Sequence, residues 1–101
     1  MPLTGARKKH LRALAHALKP VVQVGKQGLT PSLMATLDQA LASHELVKVK
    51  FVDLKDQKRE ACAEITSQLG GEQVAILGHV AIFYRQAHDP EDRKIRLPDE
   101  R

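Results

Sequence analysis

Two features of this sequence have residue types and spacing that can do chemistry. The first is Gly25-Lys26-Gln27-Gly28, two glycines three apart around a lysine, followed by Leu29-Thr30-Pro31. The second is a set of six cations, Arg7, Lys8, Lys9, Arg12, Lys19 and Lys26, all of which precede the first acidic residue, Asp38. In the first, glycines leave the backbone unobstructed and free to take positive φ, so the loop can approach a ligand closely. Unpaired N–H groups at a helix start and the helix's positive dipole end suit a phosphate, and Lys26 adds a full charge there. The second feature is one-sided positive charge, which favours a polyanionic partner.

Neither nucleotide-binding fingerprint fits the loop. The dinucleotide motif needs a third glycine, and the P-loop needs Gly-Lys-Ser/Thr after four intervening residues. What Gly25–Gly28 does match is the short GxxG clamp with which KH-type modules hold a nucleic-acid backbone. Two glycines at this spacing also serve as a plain tight turn between strand and helix. The five histidines, His10, His16, His44, His79 and His88, are scattered, with no cysteine or carboxylate at metal-ligand spacing. His10 and His16 read as extra phosphate contacts, and His44 as a helix terminator compatible with the dipole. Cys62 reads as a small core residue. Without paired carboxylates or a Ser/His/Asp set, the expectation is no catalytic residue, no metal and no cofactor.

The elements that must position these residues follow from periodicity. In a helix over about Gly5–Leu18, capped by Thr4, Leu11, Leu14, Ala15 and Leu18 recur at i, i+3, i+4 and i+7 and form an apolar stripe. Lys8, Arg12, His16 and Lys19 fall on a contiguous arc away from that stripe, with Lys9 beside them. Such faces are often merely solvated; this one lacks any carboxylate for i,i+4 pairing, so it repels itself unless something negative relieves it. Lys19-Pro20 stops the helix, and Val21–Val24 reads as a short buried strand. A second helix starts with Thr30 as N-cap and Pro31 at its first position, with Leu29 and Met34 placed as a hydrophobic staple. Its stripe runs through Leu33, Leu37, Ala40 and Leu41 to His44.

In Leu46–Val52, Val47, Val49 and Phe51 alternate with Lys48 and Lys50, the pattern of a strand wet on one face. The two lysines can meet a polyanion or simply protect a strand edge. A third helix over about Asp56–Leu69 places Ala61, Cys62, Ile65 and Leu69 on one side and ends at Gly70-Gly71. Runs at Gln73–Leu77 and Val80–Arg85, split by Gly78-His79, suit a two-residue hairpin. Tyr84 in that hairpin can stack on a base or pack in the core. The order α-β-α-β-α-β-β implies an α/β (α+β sandwich) fold with a mixed sheet, since crossovers give parallel pairs and the hairpin an antiparallel one.

Composition sets the outer bounds. The chain has 101 residues, enough for one domain, expected at 1–86, with a charged, loosely ordered tail at 87–101 in which Ile95 to Leu97 can dock. An aromatic content of 3% with no Trp requires an aliphatic core. Residues 1–50 hold eight Lys/Arg against two acids, net +6, and residues 51–101 hold eight against ten, net −2. A lone cysteine, no long apolar run and no signal-peptide pattern lead to the expectation of a soluble, cytoplasmic, monomeric protein.

Several segments together resemble the bacterial YhbY-like proteins, which consist of a single CRM domain. The resemblance covers about residues 4–97. It rests on Lys9-His10-Leu11 with Leu14 and Ala15, on the run Leu18-Lys-Pro-Val-Val-Gln-Val-Gly-Lys-Gln-Gly-Leu-Thr30, on His44-Glu-Leu-Val-Lys-Val-Lys50, and on Gly78 with Tyr84-Arg85. It implies a mixed four-stranded sheet, RNA contact through Gly25, Lys26, Gln27 and Gly28, and association with precursors of the large ribosomal subunit. The resulting expectation is a non-catalytic RNA-binding protein. Its RNA surface would combine that loop with Lys8, Lys9, Arg12, His16 and Lys19, and with Lys48 and Lys50. The alternative is a protein-docking adaptor on ribosomal or RNA-processing particles, given an acidic tail beside a basic body.

Overall fold

The computed structural model describes residues 3–97; positions 1 and 2 of the expected domain and 98–101 of the expected tail lie outside the described residues. The chain runs α1 (Gly5–Ala15), β1 (Pro20–Val24), α2 (Pro31–His44), β2 (Leu46–Phe51), α3 (Lys58–Leu69), β3 (Glu72–Leu77) and β4 (Val80–Tyr84), with single 3-10 turns at Lys55–Gln57 and Pro90–Asp92. The strands form one sheet in the order β1-β2-β4-β3. β1 lies parallel to β2, as a strand-helix-strand crossover requires, whereas β2 and β3 are both antiparallel to β4. The mixed four-stranded sheet and three helices match the expected fold.

Helices pack on both faces of the sheet, which the alternation in β2 did not disclose. On one face α2 and α3 bury Met34, Leu37, Leu41, Cys62 and Ile65 against Val24, Val47, Val49, Phe51, Ala81 and Phe83. On the other, α1 buries Leu11 and Ala15 against Leu46, Val74, Ile82 and Tyr84. Leu46 therefore begins the face on which Lys48 and Lys50 stand, and that face is only half covered. Each fully buried aliphatic or aromatic side chain in these layers stabilises by roughly 1.5–3 kcal/mol, so the aliphatic core suffices.

α1 is shorter than its periodicity suggests. It ends at Ala15, where the His16 N–H bonds back to the Arg12 and Ala13 carbonyls. Leu18 thus leaves the helical stripe, and both it and Leu14 stay 40% and 41% exposed. They border an apolar groove of about 670 Å³, which Leu46 and Ile95 also line. The third helix likewise starts later than expected, because Leu54 takes a left-handed conformation (φ 54°) and the Lys55–Gln57 turn intervenes.

Glu45, which no sequence pattern singled out, joins the layers. It ends α2 with φ 64°, a conformation that costs a residue with a side chain about 1–3 kcal/mol. Its side chain is 1% exposed. The carboxylate accepts the N–H groups of Ala87 (2.5 Å), Lys94 (2.6 Å) and Ile95 (3.0 Å), and its carbonyl accepts the Arg85 N–H (2.8 Å). These bonds fold the tail back so that Ile95 and Leu97 pack against the α1 layer. Arg85 in turn donates to Asp38 Oδ1 (2.6 Å) and to the Asp38 and Leu69 carbonyls (both 2.9 Å), tying β4 to α2 and to the end of α3.

Candidate nucleic-acid interface

The loop between β1 and α2 is a tight turn closed by two backbone hydrogen bonds. The Gly28 N–H donates to the Gly25 carbonyl (3.0 Å) and the Thr30 N–H to the Gly28 carbonyl (3.1 Å). Thr30 Oγ1 then accepts the Leu33 N–H at 3.1 Å, confirming the N-cap, and Pro31 has no N–H to offer. The expected open set of first-turn amides is thus reduced, Pro31 having none and that of Leu33 being capped. What the turn presents outward is its tip, Lys26 and Gln27, both exposed.

The two glycines play different parts. Gly28 needs its freedom, since its φ is 71°. Gly25 is not in the left-handed region, and a Cβ built on it would meet nothing within 4 Å. Neither the fold's geometry nor its packing requires glycine at position 25. Its effect is to leave backbone without a side chain facing open space next in the chain to the exposed Lys26, which permits close approach of a ligand.

The cations of α1 lie on another part of the molecule. Lys8, Lys9, Arg12, His16 and Lys19 are exposed, as their arc around the helix implies. The first turn of α1 sits near Glu72, Tyr84 and Arg85, at the end of the sheet opposite the loop. The chain just past its C-terminus reaches Lys48 in the middle of β2, whose Nζ donates to the carbonyls of Leu18 (3.0 Å) and His16 (3.4 Å). Between Lys19 and Gly25 runs the whole of β1, about 13 Å at the usual rise per residue. Loop and helix are thus two patches, joined along the half-covered sheet face by the exposed Gln23 and Lys50, which pair across β1 and β2.

Lys48 and Lys50, equivalent in the sequence pattern, differ in the structure. Lys48 closes the end of α1, a cation on the carbonyls that a helix C-terminus leaves unsatisfied. Lys50 is free to face a ligand. Tyr84 is buried in the α1 layer, and burial, followed by the charge of Glu45, raises its hydroxyl pKa. It packs in the core, so stacking on a base is not its role. Cys62 is fully buried, which pushes its thiol up to about 11 and leaves it unreactive.

Known proteins are similar to this chain over nearly its whole length. Residues 3–85 match the CRS1 / YhbY (CRM) domain family. An RNA-binding protein of Haemophilus influenzae is 37% identical over 97 residues, covering 95% of each chain. A probable RNA-binding protein of Pseudomonas aeruginosa is 37% identical over 91 residues, covering 89% of this chain and 88% of its own. The solution structure of a Staphylococcus aureus protein superposes with a TM-score of 0.78 at 31% identity, covering 96% of this chain and all of that one. With the order β1-β2-β4-β3 and the GxxG turn in place, the chain belongs to the CRS1 / YhbY (CRM) domain family.

Proposed function

We propose that this protein binds RNA without catalysing a reaction on it, holding the backbone with the Gly25–Gly28 turn and drawing it in with the basic face of α1. The observation that supports the reading is Gly25, a glycine that the packing does not need, next in the chain to the exposed Lys26. The relatives from Haemophilus and Pseudomonas are named for RNA binding, which supports the ligand class. An acid-free N-terminal segment supplies long-range attraction, and backbone contacts of this kind read little sequence. The RNA we assign is that of the large ribosomal subunit during its assembly, met in the cytoplasm by a monomer.

The test is Gly25→Asp. A side chain is accommodated there without strain, so circular dichroism should stay native. The carboxylate would stand where a phosphate is to lie, and retention of a large-subunit ribosomal RNA transcript on a filter should be lost. Native retention by the variant would overturn the loop assignment.

A second reading, docking of a protein segment, is favoured by one observation. The apolar groove beside Leu14 and Leu18 is rimmed by His10, Lys19, Lys94 and Arg96, with no acid among the described residues that line it. Its aliphatic floor suits an acidic, apolar peptide better than a base. Leu14→Glu should leave RNA retention intact on the first reading and remove particle association on the second.

A further inference from the structure

The loop does not exhaust the positive surface at the end of the sheet where β1 and β2 finish. The N–H groups of Val52 and Asp53 donate to the Val24 carbonyl (3.0 and 3.1 Å), locking the chain after β2 against the strand that feeds the loop. A Cβ on Gly28 would stand 3.4 Å from Leu54 Cδ1, and the next residue is the exposed Lys55. From the other side the β3–β4 hairpin closes on the same end. The Phe51 N–H donates to the His79 carbonyl (2.7 Å), Lys50 pairs with Val80, and Lys58 Nζ donates to the Gly78 carbonyl (2.6 Å). Three cations and a histidine from four parts of the chain thus gather at one place. Their mutual field shows at His79: Lys55 foremost, then partial desolvation, Lys58 and Lys50 hold its imidazole below the ordinary range.

The acids at this end are differently placed. Asp53 Oδ1 accepts the N–H of Leu54 at 2.8 Å and so closes its own turn. Glu60 and Glu64 line a cleft of about 250 Å³ on the α3 side of Gly28. Asp56 is exposed in the 3-10 turn, just ahead of α3. A polyanion leaving the loop is repelled on the α3 side and attracted toward the hairpin.

We infer that the RNA track runs on from the loop across Lys55 and Lys50 to the hairpin tip at His79, with Lys58 as a positioning residue that holds the hairpin. This rests on the RNA-binding reading above. The ligand is the phosphate backbone, since the lysines that dominate this surface offer charge and donors suited to phosphate oxygens.

The test is the double variant Lys50→Ala/Lys55→Ala in the full chain, both side chains being exposed, with a large-subunit ribosomal RNA transcript as probe. Losing two phosphate contacts should flatten the log–log salt dependence by about 1.4 and weaken filter binding roughly tenfold near 0.1 M salt. Amine acylation read by mass spectrometry should show Lys55 protected when RNA is added to the unaltered protein. If the double variant keeps its affinity and slope while Gly25→Asp loses binding, the track ends at the loop and this inference fails alone. If Gly25→Asp also binds normally, the loop assignment falls with it, and only loss of RNA retention by the unaltered protein would overturn the RNA reading. Equal acylation of Lys55 with and without RNA overturns the track as well.

Discussion

At the residue scale the most consequential side chain for the fold is Glu45, and its two burdens can be separated. Its left-handed backbone is a cost that glycine would avoid, while its carboxylate holds three amides of the returning tail. Glu45→Ala keeps the backbone cost and loses the carboxylate; Glu45→Gly loses both. Charge-assisted hydrogen bonds contribute about 1.5–3 kcal/mol each at most, and the released amides regain water, so Glu45→Ala should destabilise by roughly 2 kcal/mol. Glu45→Gly should lie about 1 kcal/mol closer to the native protein. In both, hydrogen exchange at Lys94 and Ile95 should rise to that of free chain, and unchanged protection would show that Ile95 and Leu97 hold the tail unaided. Cys62 gives a second prediction. Its folded pKa is raised from 9.0 to about 11 by burial, so the fold favours the neutral thiol. That contribution is complete below pH 9 and is lost as pH rises from about 9 through 11. Cys62→Ser should remove this part of the alkaline instability, while iodoacetamide should leave the native thiol of the unaltered protein unmodified at neutral pH.

Among the elements, α1 shows what periodicity can and cannot convey. Its basic arc and the burial of Leu11 and Ala15 were legible, because residues spaced by three and four must share a face. Its length was not, since Leu14 and Leu18 are apolar yet face a groove that the strands leave open. The start of α2 was legible to the residue, as Thr30 and Pro31 act through local geometry alone. Sheet order and the layer on which α1 lies depend on contacts far apart in sequence, such as Leu46 with Tyr84, which no local pattern encodes. The same limit hid the separate tasks of Lys48 and Lys50 and the gathering of Lys55 and Lys58 beside the loop. Lys48→Met tests the first of these. It keeps the aliphatic stem but removes the cation from the Leu18 and His16 carbonyls, which should cost about 1 kcal/mol of stability. RNA affinity should change less than threefold; a larger drop with unchanged thermal stability would make Lys48 a ligand contact.

For the whole molecule, the question is whether the two cationic patches act as one surface. α1 lies on one face of the sheet, the loop leads into α2 on the other, and about 13 Å of β1 separates them. Perturbations at sites so far apart, sharing no side-chain partner, are expected to add in free energy. Changing Lys8, Arg12 and Lys19 to Ala removes three exposed charges and should flatten the salt dependence by about 2. Lys26→Ala should flatten it by about 0.7. If one rigid RNA segment spans both patches, the quadruple variant should show the sum of the two losses in log affinity and in slope. A loss smaller than the sum would mean that the patches compete for the same phosphates, with the RNA shifting from one to the other. A loss larger than the sum would mean that capture by α1 is needed before the loop can engage. Filter binding of the four proteins across a salt series distinguishes these outcomes, since each predicts a different slope for the quadruple variant.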